Sequence, residues 1–201
     1  MTIGFIIAGG SSSRMGGGDK TLSPINGTPI LARTIACFAP QVDELVLNTN
    51  EPPTAFAAFD LPIIADAQDG REGPLAGLLR CLEFANERSP APNWIATVPS
   101  DCPFLPRDLV RQLLTLGEDC EAVVASSVGR THPLAGIWRP RLLTSLRRAF
   151  EEDGVRSVMA WLDRIDAATL AFDAEPTDPF FNVNTPSDLA RAEEIAKRFA
   201  V

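Results

Sequence analysis

A chain of 201 residues, 45% hydrophobic and 22% charged, has the size of one folded domain and too much apolar content to stay disordered. Its 18 Lys and Arg against 26 Asp and Glu give a formal charge of −8, which excludes the broad positive potential that nonspecific nucleic-acid or membrane-surface binding needs. A phosphorylated small molecule stays open, because a phosphate site needs only a few local donors.

Short apolar runs alternate with longer amphipathic ones along the chain. Ile3–Ala8 is a continuous apolar run ending in Gly9-Gly10, as a buried parallel strand would be. Thr28-Pro29 predicts an N-cap and first turn for a helix to about Phe38. Glu44–Thr49 predicts a strand, residues 53–58 a short helix, and residues 61–65 a third strand. Pro74–Glu87 places Leu75, Leu78, Leu79 and Leu82 at helical spacing. Residues 94–98 predict a fourth strand, 106–116 a helix and 121–126 a strand. Beyond about residue 130 the regularity weakens: 134–138 and 168–172 read as strands, 139–151 and 155–162 as helices, and 186–199 as a closing helix capped by Thr185. The fold class expected is α/β, a three-layer α/β/α Rossmann-like open and mostly parallel sheet. One domain is expected, with residues 1–130 forming a nucleotide-binding part and 131–201 an acceptor-side part.

The four cysteines, at 37, 81, 102 and 120, form no CxxC motif and predict four reduced thiols in a cytoplasmic protein. No Lys or Arg precedes Arg14, so a signal-peptide n-region is not expected. The apolar run at 3–8 is far short of the about 20 residues that span a bilayer. The length leaves no expected room for a membrane anchor or a separate regulatory domain.

Ligands of open α/β sheets bind beyond the carboxyl ends of the strands, which draws attention to residues 9–20, 48–51, 66–73 and 99–104. Residues 9–20 read Gly-Gly-Ser-Ser-Ser-Arg-Met-Gly-Gly-Gly-Asp-Lys. Glycines let successive backbone N–H groups converge on a phosphate, and Arg14 and Lys20 supply charge. The loop matches neither GxxxxGK[ST] nor GxGxxG. Asp101, between Pro99 and Pro103 and past the fourth strand, is placed to hold Mg2+, which needs few protein carboxylates when phosphates complete its shell, or to cap the helix that starts near Pro106. Cys102 reads as a packing neighbour. Asn48 and Asp66, at the ends of the second and third strands, are nucleotide contacts or ordinary turn residues. Gly77, inside a predicted helix at a cost of about 1 kcal/mol relative to Ala, points to a close approach or to simple helix packing. His132, the only histidine, reads as a hydrogen-bonded structural residue or a catalyst. Arg139, Arg141, Arg147 and Arg148 read as a solvated helix face.

The segments Ile7-Ala8-Gly9-Gly10, Arg14-Met15-Gly16 and Lys20 resemble the signature of nucleotidyltransferases with the nucleotide-diphospho-sugar transferase fold. Gly73-Pro74-Leu75-Ala76-Gly77, Pro99–Pro103, His132-Pro133 and Phe181-Asn182-Val183-Asn184-Thr185-Pro186 are similar to motifs of the branch that attaches GMP to molybdopterin. These blocks run in order over nearly the whole chain. The resemblance implies that GTP and molybdenum-loaded molybdopterin are the substrates, that Mg2+ is the cofactor, and that pyrophosphate and a guanine dinucleotide are the products. It implies GTP binding by Ile7, Ala8, Gly9, Gly10, Lys20, Asn48, Asp66, Gly77 and Asp101. It makes Arg14, Lys20 and Asp101 catalytic, with Asp101 the metal ligand, and places Arg156, Asn182 and Asn184 on the molybdopterin side. It implies transient contacts with other molybdenum-cofactor proteins and none with nucleic acid or membrane. The branch often has two adjacent basic residues where this chain has Arg156-Ser157. A cytidylyltransferase of the same pterin, which usually shows Ala-Ala-Gly after the first strand, another small-molecule-phosphate nucleotidyltransferase, and a non-catalytic nucleotide-binding module are the competing readings.

Overall fold

The computed structural model describes residues 1–8, 20–66 and 73–199. Nine strands are described: β1 (Thr2–Ala8), β2 (Pro24–Ile25), β3 (Thr28–Pro29), β4 (Glu44–Thr49), β5 (Ile63–Ile64), β6 (Trp94–Pro99), β7 (Ala122–Ser127), β8 (Arg130–Trp138) and β9 (Ala167–Ala171). The α-helices are α1 (Ile30–Phe38), α2 (Pro74–Asn86), α3 (Leu109–Leu114), α4 (Leu143–Glu151), α5 (Val158–Leu162) and α6 (Pro186–Phe199). Strands β2 and β3 form a small hairpin. The other seven make one sheet in the order β5-β4-β1-β6-β8-β7-β9. All of its strands run the same way except β8, which is antiparallel to both β6 and β7.

The strand sequences are apolar on both faces because helices cover both. Along β1, Ile3, Phe5 and Ile7 pack with Leu75, Leu78 and Leu82 of α2 and with Leu146 and Phe150 of α4. Ile6 faces the other way, with Leu31 and Phe38 of α1 and Leu109 and Leu113 of α3. The same alternation puts Val46, Ile95, Val124 and Trp138 on the first face and Leu47, Val98, Val123 and Ile137 on the second. This is the three-layer α/β/α arrangement, with the sheet in the middle. Closing helix α6 packs Ala192 and Ala196 on Ile25 and Ile30.

Several elements differ from expectation for local reasons. Thr28 does not cap α1: Thr28 and Pro29 pair with Ile25 and Pro24 across an Asn26-Gly27 turn, and Pro29 is the N-cap. Both turn residues have positive φ, +49° and +83°, the geometry that Asn-Gly favours in two-residue hairpins. The expected helix at 53–58 is a 3-10 helix, Pro53–Phe59. Helix α3 is shorter than 106–116, because Leu116 and Gly117 donate to carbonyls three residues back, closing it as 3-10 turns. Strand β8 starts earlier than 134 and takes in Pro133, which has no N–H to donate. The β7–β8 register shifts at that point, from Val124↔Gly136 to Ala125↔His132. Strand β6 pairs only with residues 136–138 of β8, so His132 and Pro133 overhang the carboxyl end of β6.

Strand order reverses between β1 and β6: the chain goes from β1 outward to β4 and β5, then returns to the other side of β1. Such a reversal leaves a crevice at the carboxyl ends of the two strands.

Candidate active site

Lys20 and Asp101 meet at that crevice. Lys20 follows the glycine-rich loop that leaves β1, and Asp101 lies just past β6. Lys20 Nζ stands 2.7 Å from Asp101 Oδ2 and 2.5 Å from Asn184 Oδ1. The ammonium carries three N–H donors, and two are engaged by the described residues. The pair is largely sheltered, with side chains 21% and 12% exposed, so it is less screened by salt than a surface pair. Asp101 is held from behind. Val183 N donates to its carbonyl at 3.0 Å, and Ser100 N donates to Ile7 O at 3.1 Å. The Thr34 hydroxyl of α1 lies within 3.3 Å of the carbonyls of Ser100 and Cys102. Asp101 Oδ1 is approached only by Cys102 Sγ, at 3.9 Å, among the described residues.

A second cluster lines the far side of β1. Asn48, buried at the end of β4, donates from Nδ2 to Asp66 Oδ1 at 2.8 Å and to Ile64 O at 3.4 Å. Asn50 donates to the other carboxylate oxygen at 2.9 Å and accepts from Asp66 N at 2.9 Å. Asn48 Oδ1 is aimed at Gly77 of α2, where a Cβ would stand only 2.6 Å from it and 3.0 Å from Ile7 Cγ2. Gly77 is therefore a close-approach glycine. Gly73, with φ +85°, caps α2 ahead of Pro74, a conformation that favours glycine.

A cavity of about 430 Å3 opens beside Asp101. Cys102, His132, Pro133, Arg156, Phe180 and Asn182 are among the residues that line it. Asn182 Oδ1 accepts from Cys102 Sγ at 3.0 Å. Burial, reinforced by the Asp101 and Asp178 carboxylates, pushes the Cys102 thiol well above its ordinary value, which suits a packing role and not that of a nucleophile. Arg156 Nη1 donates to Phe150 O at 2.6 Å, and its guanidinium covers the Phe150 ring at 4.3 Å.

The sequence-predicted residues thus fall into three groups. Lys20, Asp101 and Asn184 form the first. Asn48, Asp66, Gly77 and Ile7, with Ala8 ending β1, form the second. Arg156 and Asn182 line the cavity. The expectations for Gly9, Gly10 and Arg14 lie outside the described residues. Asn50, Ser127 and Asp178 are additions. Asn50 has a sequence signal, since Asn48-x-Asn50 is the period of side chains sharing one strand face. Ser127 and Asp178 have none: they come together only because β7, β8 and the 172–185 segment pack. The arginine cluster is not simply a solvated face. Arg139 lies 3.8 Å over the Trp94 ring and donates to Gly117 O, Arg141 makes a two-point pair with Glu121, and Arg147 pairs with Glu83. All four cysteines are free thiols.

Residues 4–166 match the MobA-like NTP transferase domain. Two relatives named molybdenum cofactor guanylyltransferase are similar over nearly the full chain. That of Rhodopseudomonas palustris (strain BisB5) is 47% identical over 195 residues, covering 96% of this chain and 93% of the relative. That of Rhizobium meliloti (strain 1021) is 38% identical, covering 94% and 88%. Among solved structures, molybdopterin-guanine dinucleotide biosynthesis protein A from Archaeoglobus fulgidus superposes with a TM-score of 0.78 at 24% identity, covering 98% of this chain and 100% of that one. A nucleotidyl transferase from Methanothermobacter thermautotroptrophicus gives 0.74 at 19% identity, covering 99% of each. These two likenesses bear on the fold.

Proposed function

We propose a function from one premise: the chain belongs to the molybdenum cofactor guanylyltransferase family, whose members carry the MobA-like NTP transferase domain. It is a nucleotidyltransferase. It transfers GMP from GTP to the terminal phosphate of molybdenum-loaded molybdopterin. A phosphate oxygen of the acceptor bonds to the α-phosphorus of GTP, the bond from that phosphorus to the bridging oxygen breaks, and pyrophosphate leaves with the electron pair. The observation that carries this reading is the Lys20–Asp101 pair at the crevice between β1 and β6.

Little acid–base work is needed, because the attacking phosphate is already an anion. Catalysis of this kind is mostly positioning and charge neutralisation. Lys20 directs its remaining N–H to a phosphate oxygen while Asn184 and Asp101 hold its ammonium in place. The nucleotide lies across the glycine-rich loop, with Ile7 and Ala8 at its root and Gly9, Gly10 and Arg14 within it. Asn48, Asp66 and Gly77 line the base end.

Mg2+ fits the donors present. Both Asp66 oxygens are engaged by Asn48 and Asn50, whereas Asp101 keeps one carboxylate oxygen with only a distant thiol beside it among the described residues. A single hard oxygen donor suits an ion that takes its remaining ligands from phosphates and water. When bound at Asp101, the ion would neutralise phosphate charge and favour departure of pyrophosphate. The acceptor's pterin end occupies the cavity beside Arg156 and Asn182. Four unpaired thiols are consistent with a cytoplasmic setting, and none of the described helices is long and apolar enough to cross a membrane.

The test is pyrophosphate release with GTP, Mg2+ and molybdenum-loaded molybdopterin. Asp101→Ala should lower turnover by about a hundredfold or more, as loss of a positioned charge does, while the far-ultraviolet circular dichroism stays that of the parent. Undiminished turnover in Asp101→Ala would remove the metal role.

A further inference from the structure

A proton-ordered chain of three residues, which the reaction above does not use, begins at His132 in the cavity lining and runs back to Ser127 and Asp178. His132 Nε2 lies 2.7 Å from Ser127 Oγ, and Ser127 Oγ lies 2.7 Å from Asp178 Oδ1. An ionised carboxylate can only accept, and a hydroxyl has one proton to give. The Ser127 proton therefore goes to Asp178, and the Ser127 oxygen accepts from His132. That order puts the imidazole proton on Nε2 and leaves a bare lone pair on Nδ1 of the neutral ring. The ring plane is fixed as well. Phe180 stacks on it at 4.6 Å with planes 23° apart, and Phe180 N in turn donates to Asp178 Oδ1 at 3.0 Å. Nδ1 makes no hydrogen bond among the described residues, and the His132 ring lines the cavity of about 430 Å3. That volume is of the order of a small-ligand site.

The charge around the ring favours its neutral form. Burial lowers the imidazole pKa and Arg130 adds to this, against an opposing pull from Asp178. Arg156 and Cys102 also line the cavity, the Cys102 thiol uncharged because burial holds its pKa up. A neutral imidazole with its proton turned inward has nothing to offer a phosphate. It offers an acceptor to an N–H.

We infer that His132 is a specificity residue of the acceptor cavity, accepting at Nδ1 an N–H from the edge of the acceptor's planar heterocycle, with Ser127 and Asp178 as positioning residues that set its tautomer. This rests on the acceptor being a pterin, as proposed above; a pterin carries several such N–H groups around its rings. The overhang of β8 past β6, where its pairing with β7 shifts register, places His132 at the cavity.

His132 is the only histidine in the chain, so long-range 1H–15N spectra of the whole protein read it without ambiguity. The ligand-free protein at neutral pH should show the proton on Nε2 and an unprotonated Nδ1. Ser127→Ala should give a mixture of tautomers. Saturating molybdenum-loaded molybdopterin should move the Nδ1 resonance upfield, as accepting a hydrogen bond does. In kinetics, His132→Phe keeps a ring against Phe180 but removes the acceptor. It should raise the KM for molybdopterin by about tenfold, the loss of one well-placed hydrogen bond, and leave the KM for GTP within about twofold. His132→Asn, with an amide oxygen near the Nδ1 position, should recover part of the loss. An Nδ1–H tautomer in the free protein, an unmoved Nδ1 resonance, or an unchanged acceptor KM in His132→Phe would overturn the inference. Pyrophosphate release by the parent with no Nδ1 response would remove this inference alone. An Nδ1 response without pyrophosphate release would leave it standing and remove the proposed reaction.

Discussion

Asn48 and Gly77 are fitted to each other across two elements. A methyl group at position 77 would meet Asn48 Oδ1 at 2.6 Å, and Asn48, which is buried, can step aside only by giving up its bonds to Asp66 and Ile64. Two effects oppose each other in Gly77→Ala. Helix propensity gains about 1 kcal/mol, and overpacking loses about 1–3 kcal/mol. The clash wins or nearly cancels, and Asn48 is displaced in either case. Gly77→Ala should therefore bind GTP several-fold more weakly by calorimetric titration, with a melting temperature equal to or a few degrees below the parent's. A higher melting temperature with full GTP affinity would show that Asn48 does not need the space. The exception to propensity at Gly77 is visible in the sequence; its cause is not, because Asn48 comes from a different strand. The same limit hid the link from His132 to Asp178, whereas Lys20 and Asp101 stood out because one closes the glycine-rich loop after a strand and the other lies in the turn after a strand.

Helix α6 begins with a reciprocal cap. Asp188 N donates to Thr185 Oγ1 at 3.1 Å, and Thr185 N donates to Asp188 Oδ2 at 2.9 Å, so two otherwise unpaired donors are satisfied together. Thr185 follows Asn184, which holds Lys20, so the cap also anchors one edge of the site. Thr185→Ala should cost about 1 kcal/mol, a fall of about 2–4 °C in melting temperature for a chain this long, with a modest rise in the KM for GTP. Thr185 hydrogen bonding, helped by the backbone N–H groups of Asn184 and Thr185, holds the Asp188 carboxyl below its ordinary value. A depressed carboxyl stabilises the fold above its unfolded-state value, and that contribution disappears as pH falls through the native one. The cap thus persists through mildly acidic conditions, and the melting-temperature gap between parent and Thr185→Ala should narrow only in strong acid. The cap at Thr185 was legible because the sequence places a hydroxyl before Pro186 and an amphipathic run. The similar pair Thr28-Pro29 misled because Asn26-Gly27 just before it favours a hairpin. Strand β8 was read too short because Pro133 looks like a strand breaker, and only the register shift beside it accommodates that residue.

Over the whole molecule, the net charge of −8 and the phosphate chemistry proposed for the crevice are compatible because many cations are committed elsewhere. Arg80, Arg88, Arg111, Arg141, Arg147 and Arg164 all pair with neighbouring carboxylates. Such exposed pairs contribute little stability each, but they leave no broad basic surface for nucleic acid. The nucleotide site proposed above draws its positive charge instead from Lys20, which stands beside the Asp101 carboxylate at the crevice between β1 and β6. The alternation of strands and helices was legible as far as about residue 130, since buried parallel strands read as unbroken apolar runs. The antiparallel entry of β8 between β6 and β7 was not, because nothing local in a strand fixes which neighbours it pairs with. The central claim, that this crevice moves GMP onto a pterin phosphate, is tested most directly by following the α-phosphate itself. The parent protein, given molybdenum-loaded molybdopterin, Mg2+ and either α-32P-GTP or α-32P-CTP, should transfer label from GTP to a pterin dinucleotide and little from CTP. Preferential transfer from CTP, or no transfer from either, would contradict the account.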